Sequence, residues 1–491
     1  MSVHAAPPAP DALRLVIVGG GFTGAALAIH AMRAAAGPLD IVVLEPRAEL
    51  GRGVAYGTAD RNHRINVPSD RMDVAAAESG AATAWFRAQG LLPEDEAARY
   101  LPRAAYGAYV GDLLARTGAA AGDRVRLRHL RMAATAVRRQ NGAWMVDTDT
   151  GERIAADRVA LCFGHAVPAL PCRLAPGVAA SRRFVPDPWA VDALAAIEPG
   201  ASVLVVGTGL TMADVVTSLR ASGHRGAITA VSRRGLLPRA HGVFLTSLDV
   251  LGPDRPRTAL DLLRLLRRQV AAVDPALGWQ PVLDSFRKVL PDVWNALPAA
   301  EQRRIVRRLL PFWEVHRFRI APQIAAGLAQ ARAEGQLSVR RASVIGLALA
   351  ADGRLEAELR AGDATERRRF DAVVLCTGPE RDVSRNPLVA ALLADGTARL
   401  DAVGLGLAVD RRSRVLGAAG APQPGLYAFG PMTRGSFGEM SGAADIAHHI
   451  EAVVAGLLER DLEGALRPGA LAGSAPGKAA SSTSPSTEPD A

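Results

Sequence analysis

Lysine is almost missing from this chain. Only Lys288 and Lys478 occur in 491 residues, although lysine and arginine together number 58 and the formal net charge is +9. Nearly every positive charge is therefore an arginine, and the shortage of lysine argues against Schiff-base chemistry. The arginines are scattered among abundant alanine and glycine, with no platform of interleaved aromatic and basic residues. The charge reads as composition bias rather than as a nucleic-acid surface. Cysteine is scarce as well. Cys162, Cys172 and Cys376 include no C-x-x-C pair, so neither a zinc site nor a redox dithiol is signalled. Cys162 and Cys376 each end an apolar strand pattern and read as small buried hydrophobes. No apolar run approaches the roughly 18 residues of a membrane span. The start, MSVHAAPPAP, has neither the charged region nor the apolar core of a signal peptide. A cytoplasmic protein with no membrane partner is expected. H-E-x-x-H, metal-ligand spacing and G-x-S-x-G are also missing, which sets aside metalloenzyme and serine-hydrolase chemistry.

What the chain does have is two nucleotide cradles. The first is VIVGGGFTGAAL at 16–27. Gly19, Gly21 and Gly24 fit G-x-G-x-x-G between a buried strand and a helix. Gly19 permits the tight turn, Gly21 lets backbone approach a pyrophosphate, and Gly24 brings the helix close to the strand. Glu45 ends the next strand, where an acid accepts hydrogen bonds from an adenosine ribose. An N-terminal cradle in a chain with a second one suits FAD, and Gly53 in the Gly-rich loop GRGVAYG is placed to run along that cofactor.

The second cradle is VLVVGTGLTMADV at 203–215. Gly207 and Gly209 supply the turn and the close approach. Met212 stands where the third glycine is expected, and Ala213 is expected to take its packing role. The following strand ends in Ser232, Arg233 and Arg234 instead of an acid. Arginine pairs with a 2′-phosphate that an acid would repel, so NADPH is favoured over NADH. One cradle then holds a flavin and the other receives a nicotinamide that reduces it, with the cofactors carrying the difficult chemistry. Gly164 and Gly378, in LCFG and LCTG, are expected to let crossing chain pass close to the cofactors.

The expected fold class is α/β, with two Rossmann-like dinucleotide-binding domains, the NAD(P)H domain being inserted into a discontinuous FAD domain. The first part of the FAD domain is placed at 12–185 and its second part at 346–460. The NAD(P)H domain is placed at 195–345, with a helical insertion at about 256–332. A frayed start at 1–11 and a disordered tail at 466–491 complete the outline.

In order along the chain, VIVGGGFTGAALA, GRGVAYGT…HRINVPSDRMD, VLVVGTGLTMADVV, SRRGLLPRAHG, FWEVHRFRIAP and LYAFGPMTRGSFGEM resemble the bacterial FAD–NAD(P)-binding family of YdhS-like proteins, over about 14–455. That family includes HpyO-type FAD-dependent urate hydroxylase and is related more distantly to flavin N-hydroxylating monooxygenases. The resemblance implies that Asn66 and Val67 lie near the flavin ring and that Gly430 brings a helix start towards it. Related flavoproteins often carry Gly-Asp at that last point, where this chain has Pro431. It implies a monooxygenase that inserts one atom of O2 through a flavin C4a-(hydro)peroxide. Urate hydroxylation to 5-hydroxyisourate is its most concrete form. The alternatives are N-hydroxylation of an amine, electron transfer to a partner without oxygen insertion, and a redox sensor without turnover.

Such an enzyme needs groups that orient substrate and accept a proton. His316, Arg317 and Arg319 in FWEVHRFRIAP are the candidates, His316 as proton acceptor and the arginines as holders of an anionic purine. Arg434 follows the late Gly-Pro and is a further candidate. His63, Arg64, His165 and the pair His448 and His449 are weaker ones, the last pair reading as structural. The expected partners are a small-molecule substrate and O2, with the oligomeric state left open.

Overall fold

The computed structural model describes residues 11–459 except 97, 165–167, 169, 243–247, 254 and 381. The expected frayed start up to residue 10, the tail from 466 and His165 lie outside them. Strand Leu13–Val18 is buried along nearly its whole length, as a parallel strand covered on both faces must be. It pairs with Leu39–Leu44 on one side and Arg158–Leu161 on the other. Val125–Leu130 extends the sheet beyond the first neighbour, and Pro422–Ala428 and Arg414–Leu416 extend it beyond the second. Helix Phe22–Ala34 lies against this sheet and buries 11 of its 13 residues. It is apolar on every side because the helices Arg103–Ala121 and Ala443–Leu458 pack on it in turn.

A second sheet repeats the arrangement. Val203–Val206 pairs in parallel with Ile228–Ser232 and with Ala372–Leu375, flanked by Leu337–Arg341 and Phe184–Val185. In each module an antiparallel excursion precedes the strand beside the cradle strand, at 134–156 in the first and 343–370 in the second. The chain is thus α/β with two Rossmann-like units, the second inserted between the parts of the first.

Three boundaries differ from the sequence reading. The first part of the FAD domain ends before 185, because Phe184–Val185 already pairs with Ala372–Leu375 in the second sheet. Ala372–Leu375 bonds to Val203–Val206, so the chain leaves the second module only after Leu375 and not at 346. FDAVVLCTGP echoes RVALCFGH because both strands sit beside their cradle strands. The helical insertion is also shorter than 256–332. Pro322–Ala333 places Ile324, Leu328 and Ala331 in the second module's core and serves as the crossover helix before Leu337–Arg341. The remaining helices, Ala259–Ala272, Gln280–Ala296, Ala299–Arg308 and Leu310–Arg317, gather around a separate core that includes Phe286 and Trp294. No helix among the described residues is long and apolar enough to cross a membrane.

Candidate functional site

Each cradle opens on a glycine whose backbone and surroundings both demand it. Gly19 has φ +101°, and a Cβ there would stand 2.6 Å from the Phe163 backbone. Gly207 has φ +122°, and a Cβ there would stand 2.0 Å from the Cys376 carbonyl oxygen. The neighbouring strand of each module ends by crossing over this glycine. Gly164 and Gly378 lie just beyond that passage, each with open space where a Cβ would stand. The close passage belongs to Cys162, Phe163 and Cys376, although Gly378 still needs glycine for its φ of +73°. Burial pushes the Cys162 and Cys376 thiols up, which keeps them protonated and inert.

Gly24 is fixed in the same way, since a Cβ there would lie 1.9 Å from the Gly19 carbonyl oxygen. The second cradle solves this position differently. Met212 and Ala213 are both fully buried in the second core, so that helix is seated by apolar packing instead of a glycine contact.

Helices Phe22–Ala34 and Leu210–Ala221 start at Gly21 and Gly209 with no side-chain cap and no acid in the first turn. By contrast, Ala259–Ala272 is closed by a capping box between Thr258 and Asp261. Uncapped first-turn N–H groups beside glycine suit an anionic pyrophosphate. Above Gly209 a Cβ would meet nothing within 4 Å. Around the first cradle the expected residues converge. Glu45, buried, accepts from the Gly20 N–H at 3.0 Å and from the Arg47 N–H at 3.1 Å. The Gly51 N–H donates to the Gly20 carbonyl at 2.8 Å, and Gly53 faces Gly21. The Tyr56 ring meets Phe22 and Tyr106, which seats the 51–57 loop on the cradle. Gly430, with φ +79°, lets its turn close onto Thr23, whose hydroxyl would lie 2.7 Å from a Cβ there.

Val67 packs on the first core, and the Asn66 carbonyl accepts from His241 Nε2 at 2.6 Å. His241 was not singled out in the sequence, although it lies inside the SRRGLLPRAHG segment. In the second module Ser232 Oγ is 2.8 Å from Thr208 Oγ1, which ties the strand end to the cradle turn. Arg233 and Arg234 follow, both exposed, with Arg234 over the Phe312 ring. Exposed Arg341 stands opposite Ser232 in strand register and adds a third cation that its distance along the chain concealed.

The anion-holding role expected of Arg317 and Arg319 is not what their surroundings fit. Arg319, buried, forms a two-point pair with Asp284 at 3.0 and 2.7 Å, donates to the His316 carbonyl and lies over Trp279. Arg317, also buried, pairs with Asp445 at 2.7 Å and lies 3.6 Å from Glu439. Both charges are committed to carboxylates that fasten the helical insertion. His316 Nδ1 donates to the Phe312 carbonyl at 2.7 Å, and its ring meets the edge of Trp279. Arg434 is half-buried on the short helix Arg434–Phe437. His449 Nε2 meets Ser413 Oγ at 2.7 Å beside Phe437, while His448 is exposed.

A cavity of about 830 Å³ lies between Gln280–Ala296 and Ala443–Leu458, with residues 73–76 along one wall. Asp73, Arg287, Lys288, Glu439, Asp445 and His448 line it. The segments implied for the flavin ring, at 66–67 and 430, lead within a few residues into these walls.

Burial also sets a pH response. His63, His241 and His449 are each pushed down to about 4, with burial the main cause. The unfolded chain takes up protons that these rings refuse, so stability is full above pH 6.5 and falls as pH drops towards 4. For His63 the loss across that window is on the order of 3 kcal/mol. Asp214 works in the opposite direction: burial, only partly countered by Arg103, pushes it up to about 6, and its protonation offsets part of the loss. Thermal unfolding followed from neutral pH to pH 4 checks this. His63→Gln is expected to flatten the profile and Asp214→Asn to steepen it, and a flat wild-type profile would contradict the account.

Residues 16–166 match a family model described as FAD-NAD(P)-binding. No curated protein matches the chain. Among solved structures, the ornithine N-hydroxylase of Kutzneria sp. 744 superposes with TM-score 0.60 at 16% identity, over 91% of this chain and 99% of that one. L-lysine 6-monooxygenase from Pseudomonas syringae gives TM-score 0.61 at 20% identity, over 91% and 99%. DfoA, the cadaverine monooxygenase of Erwinia amylovora, solved with FAD bound, gives TM-score 0.60 at 14% identity, over 90% and 92%. At these identities the likeness speaks for the shared fold.

Proposed function

We propose that this protein is an FAD-dependent, NAD(P)H-consuming monooxygenase that hydroxylates an amine nitrogen. The observation that carries the reading is the doubled cradle: two uncapped helix N-termini, each behind a glycine crossed by a neighbouring strand. In this reading Gly19, Gly21, Gly24, Glu45, Gly53 and Gly430 hold FAD. Gly207 and Gly209 receive the nicotinamide coenzyme, with Arg233, Arg234 and Arg341 around its 2′-phosphate. The flavin supplies oxygen activation once reduced. The chain's own residues bind, orient and exclude water.

The amine is favoured over urate on two grounds. The structural neighbours are named for ornithine, lysine and cadaverine as substrates. The arginines that suggested an anionic purine are already neutralised by Asp284 and Asp445. The test adds ornithine, lysine, cadaverine or urate to the purified protein with NADPH, and follows NADPH loss, free peroxide and product mass. An amine is expected to accelerate NADPH oxidation with little peroxide and a product heavier by one oxygen. Stimulation by urate alone would overturn the amine reading. Equal dye reduction with and without any substrate would favour electron transfer.

Coenzyme preference has its own test. A charge-assisted hydrogen bond contributes about 1.5–3 kcal/mol. Arg233→Ala is therefore expected to raise KM for NADPH about 10- to 100-fold and leave NADH unchanged. Equal effects on both coenzymes would remove the 2′-phosphate role.

A further inference from the structure

A buried polar seam joins the two modules at a place neither cradle uses. Arg103 opens helix Arg103–Ala121 of the first module. Its Nη2 donates to Asp214 Oδ2 at 2.8 Å and its Nε donates to the Arg64 carbonyl at 2.9 Å. Its backbone N–H donates to the His63 carbonyl at 2.8 Å, and its guanidinium lies over the Trp189 ring. Asp214 sits on Leu210–Ala221, the helix that leads out of the second cradle. One turn further along, Ser218 donates to Asp60 and lies 3.1 Å from His63 Nε2, while His63 Nδ1 is 2.8 Å from Thr58 Oγ1. His241, beyond Arg233 and Arg234, holds the Asn66 carbonyl. Asp214, Ser218 and His241 of the second module thus converge on 60–66 of the first.

Apolar side chains would hold two modules together at least as well, because a buried ion pair adds little net stability over good packing. What a guanidinium that donates to two fixed acceptors at once supplies is direction. Arg103 links the backbone of the 63–64 loop to a single carboxylate on the cradle helix, so sliding of that helix breaks the pair. We propose that Arg103 and Asp214 are a positioning pair: they fix the second cradle against the flavin-flanking loop and so set the approach of the nicotinamide to the flavin. This rests on the two-cofactor reading above. Neither side chain touches the reacting atoms. The pair acts through 63–67 on one side and through the Gly209 turn on the other. The step it serves is hydride transfer, in which both electrons pass from NADPH to the flavin and a solvent proton completes the reduced ring.

The test uses Asp214→Asn and, as the charge-keeping variant, Arg103→Lys. In the protein without nicotinamide, hydrogen exchange of amides in 60–67 and 210–221 is expected to speed up in Asp214→Asn. FAD content is expected to stay at the wild-type level. Flavin reduction at saturating NADPH is expected to slow about 100-fold, the usual cost of a misplacement near 1 Å. Chemical reduction by dithionite is expected to be unaffected, and Arg103→Lys is expected to fall between. Unchanged exchange, or faster exchange with a normal reduction rate, overturns the proposal. If the wild type itself is reduced by neither NADPH nor NADH, the two-cofactor reading fails and the proposal falls with it, a result distinguishable because it appears without any substitution. Should Asp214→Asn not fold, Arg103→Lys carries the same comparison.

Discussion

Replacing Gly24 with alanine is expected to give a colourless protein, whereas replacing Gly207 with alanine gives a yellow one that NADPH does not reduce. The two substitutions add the same single carbon. At Gly24 that carbon would lie 1.9 Å from the Gly19 carbonyl oxygen, between the first helix and the turn it rests on. Neither partner is the end of a flexible side chain, so relief requires the helix to move off the strand. Overpacking of side chains costs about 1–3 kcal/mol, and a backbone clash exceeds that range. The first-turn N–H groups are displaced along with the helix, and with them the FAD site. At Gly207 the added carbon would meet the Cys376 carbonyl at 2.0 Å, on a backbone of φ +122° that resists any side chain. That damage lies in the second sheet, away from Gly19, Gly24 and Glu45. Flavin absorbance of the purified variants, followed by anaerobic addition of NADPH, checks both. A Gly207→Ala protein that bleaches at the wild-type rate would remove the second cradle from the reaction.

The second large effect concerns stability. Arg319→Ala is expected to cost about 3 kcal/mol, because it leaves Asp284 in a partly buried site with only the more distant Arg287, at 3.9 Å, to balance it. The pair is tight, with Arg319 only 2% exposed and Trp279 against its guanidinium. Replacing both partners, as Arg319→Met with Asp284→Leu, is expected to recover most of the loss, since apolar residues of similar volume often equal a buried ion pair. Denaturant unfolding of the single and double variants measures this. The reading of Arg319 as a substrate-holding group predicts the reverse: little change in stability and no recovery of activity in the double variant.

The cradles were legible because their signals are local. An apolar strand, glycines at fixed spacing and a helix pattern stand within about a dozen residues of one another, and each glycine has its own steric reason. The passage over Gly19 was not legible. It joins the ends of Leu13–Val18 and Arg158–Leu161, which only parallel pairing brings together, and Cys162 and Phe163 carry no local sign of it. The boundary near 346 failed for a similar reason, since nothing local tells Ala372–Leu375 which sheet to join. The arginines of FWEVHRFRIAP show the limit for charged residues. A guanidinium reads identically whether it awaits a substrate or already holds Asp284 or Asp445, and those partners lie far away in sequence. His241 and Arg341 reach their places by the same long-range routes.

An anaerobic titration of the purified protein with NADPH tests most directly whether one flavin site is served by one nicotinamide site. The purified protein is expected to carry FAD and to lose its flavin absorbance as NADPH is added. A polypeptide that takes up no FAD, or whose bound flavin stays oxidised in the presence of both NADPH and NADH, would contradict it.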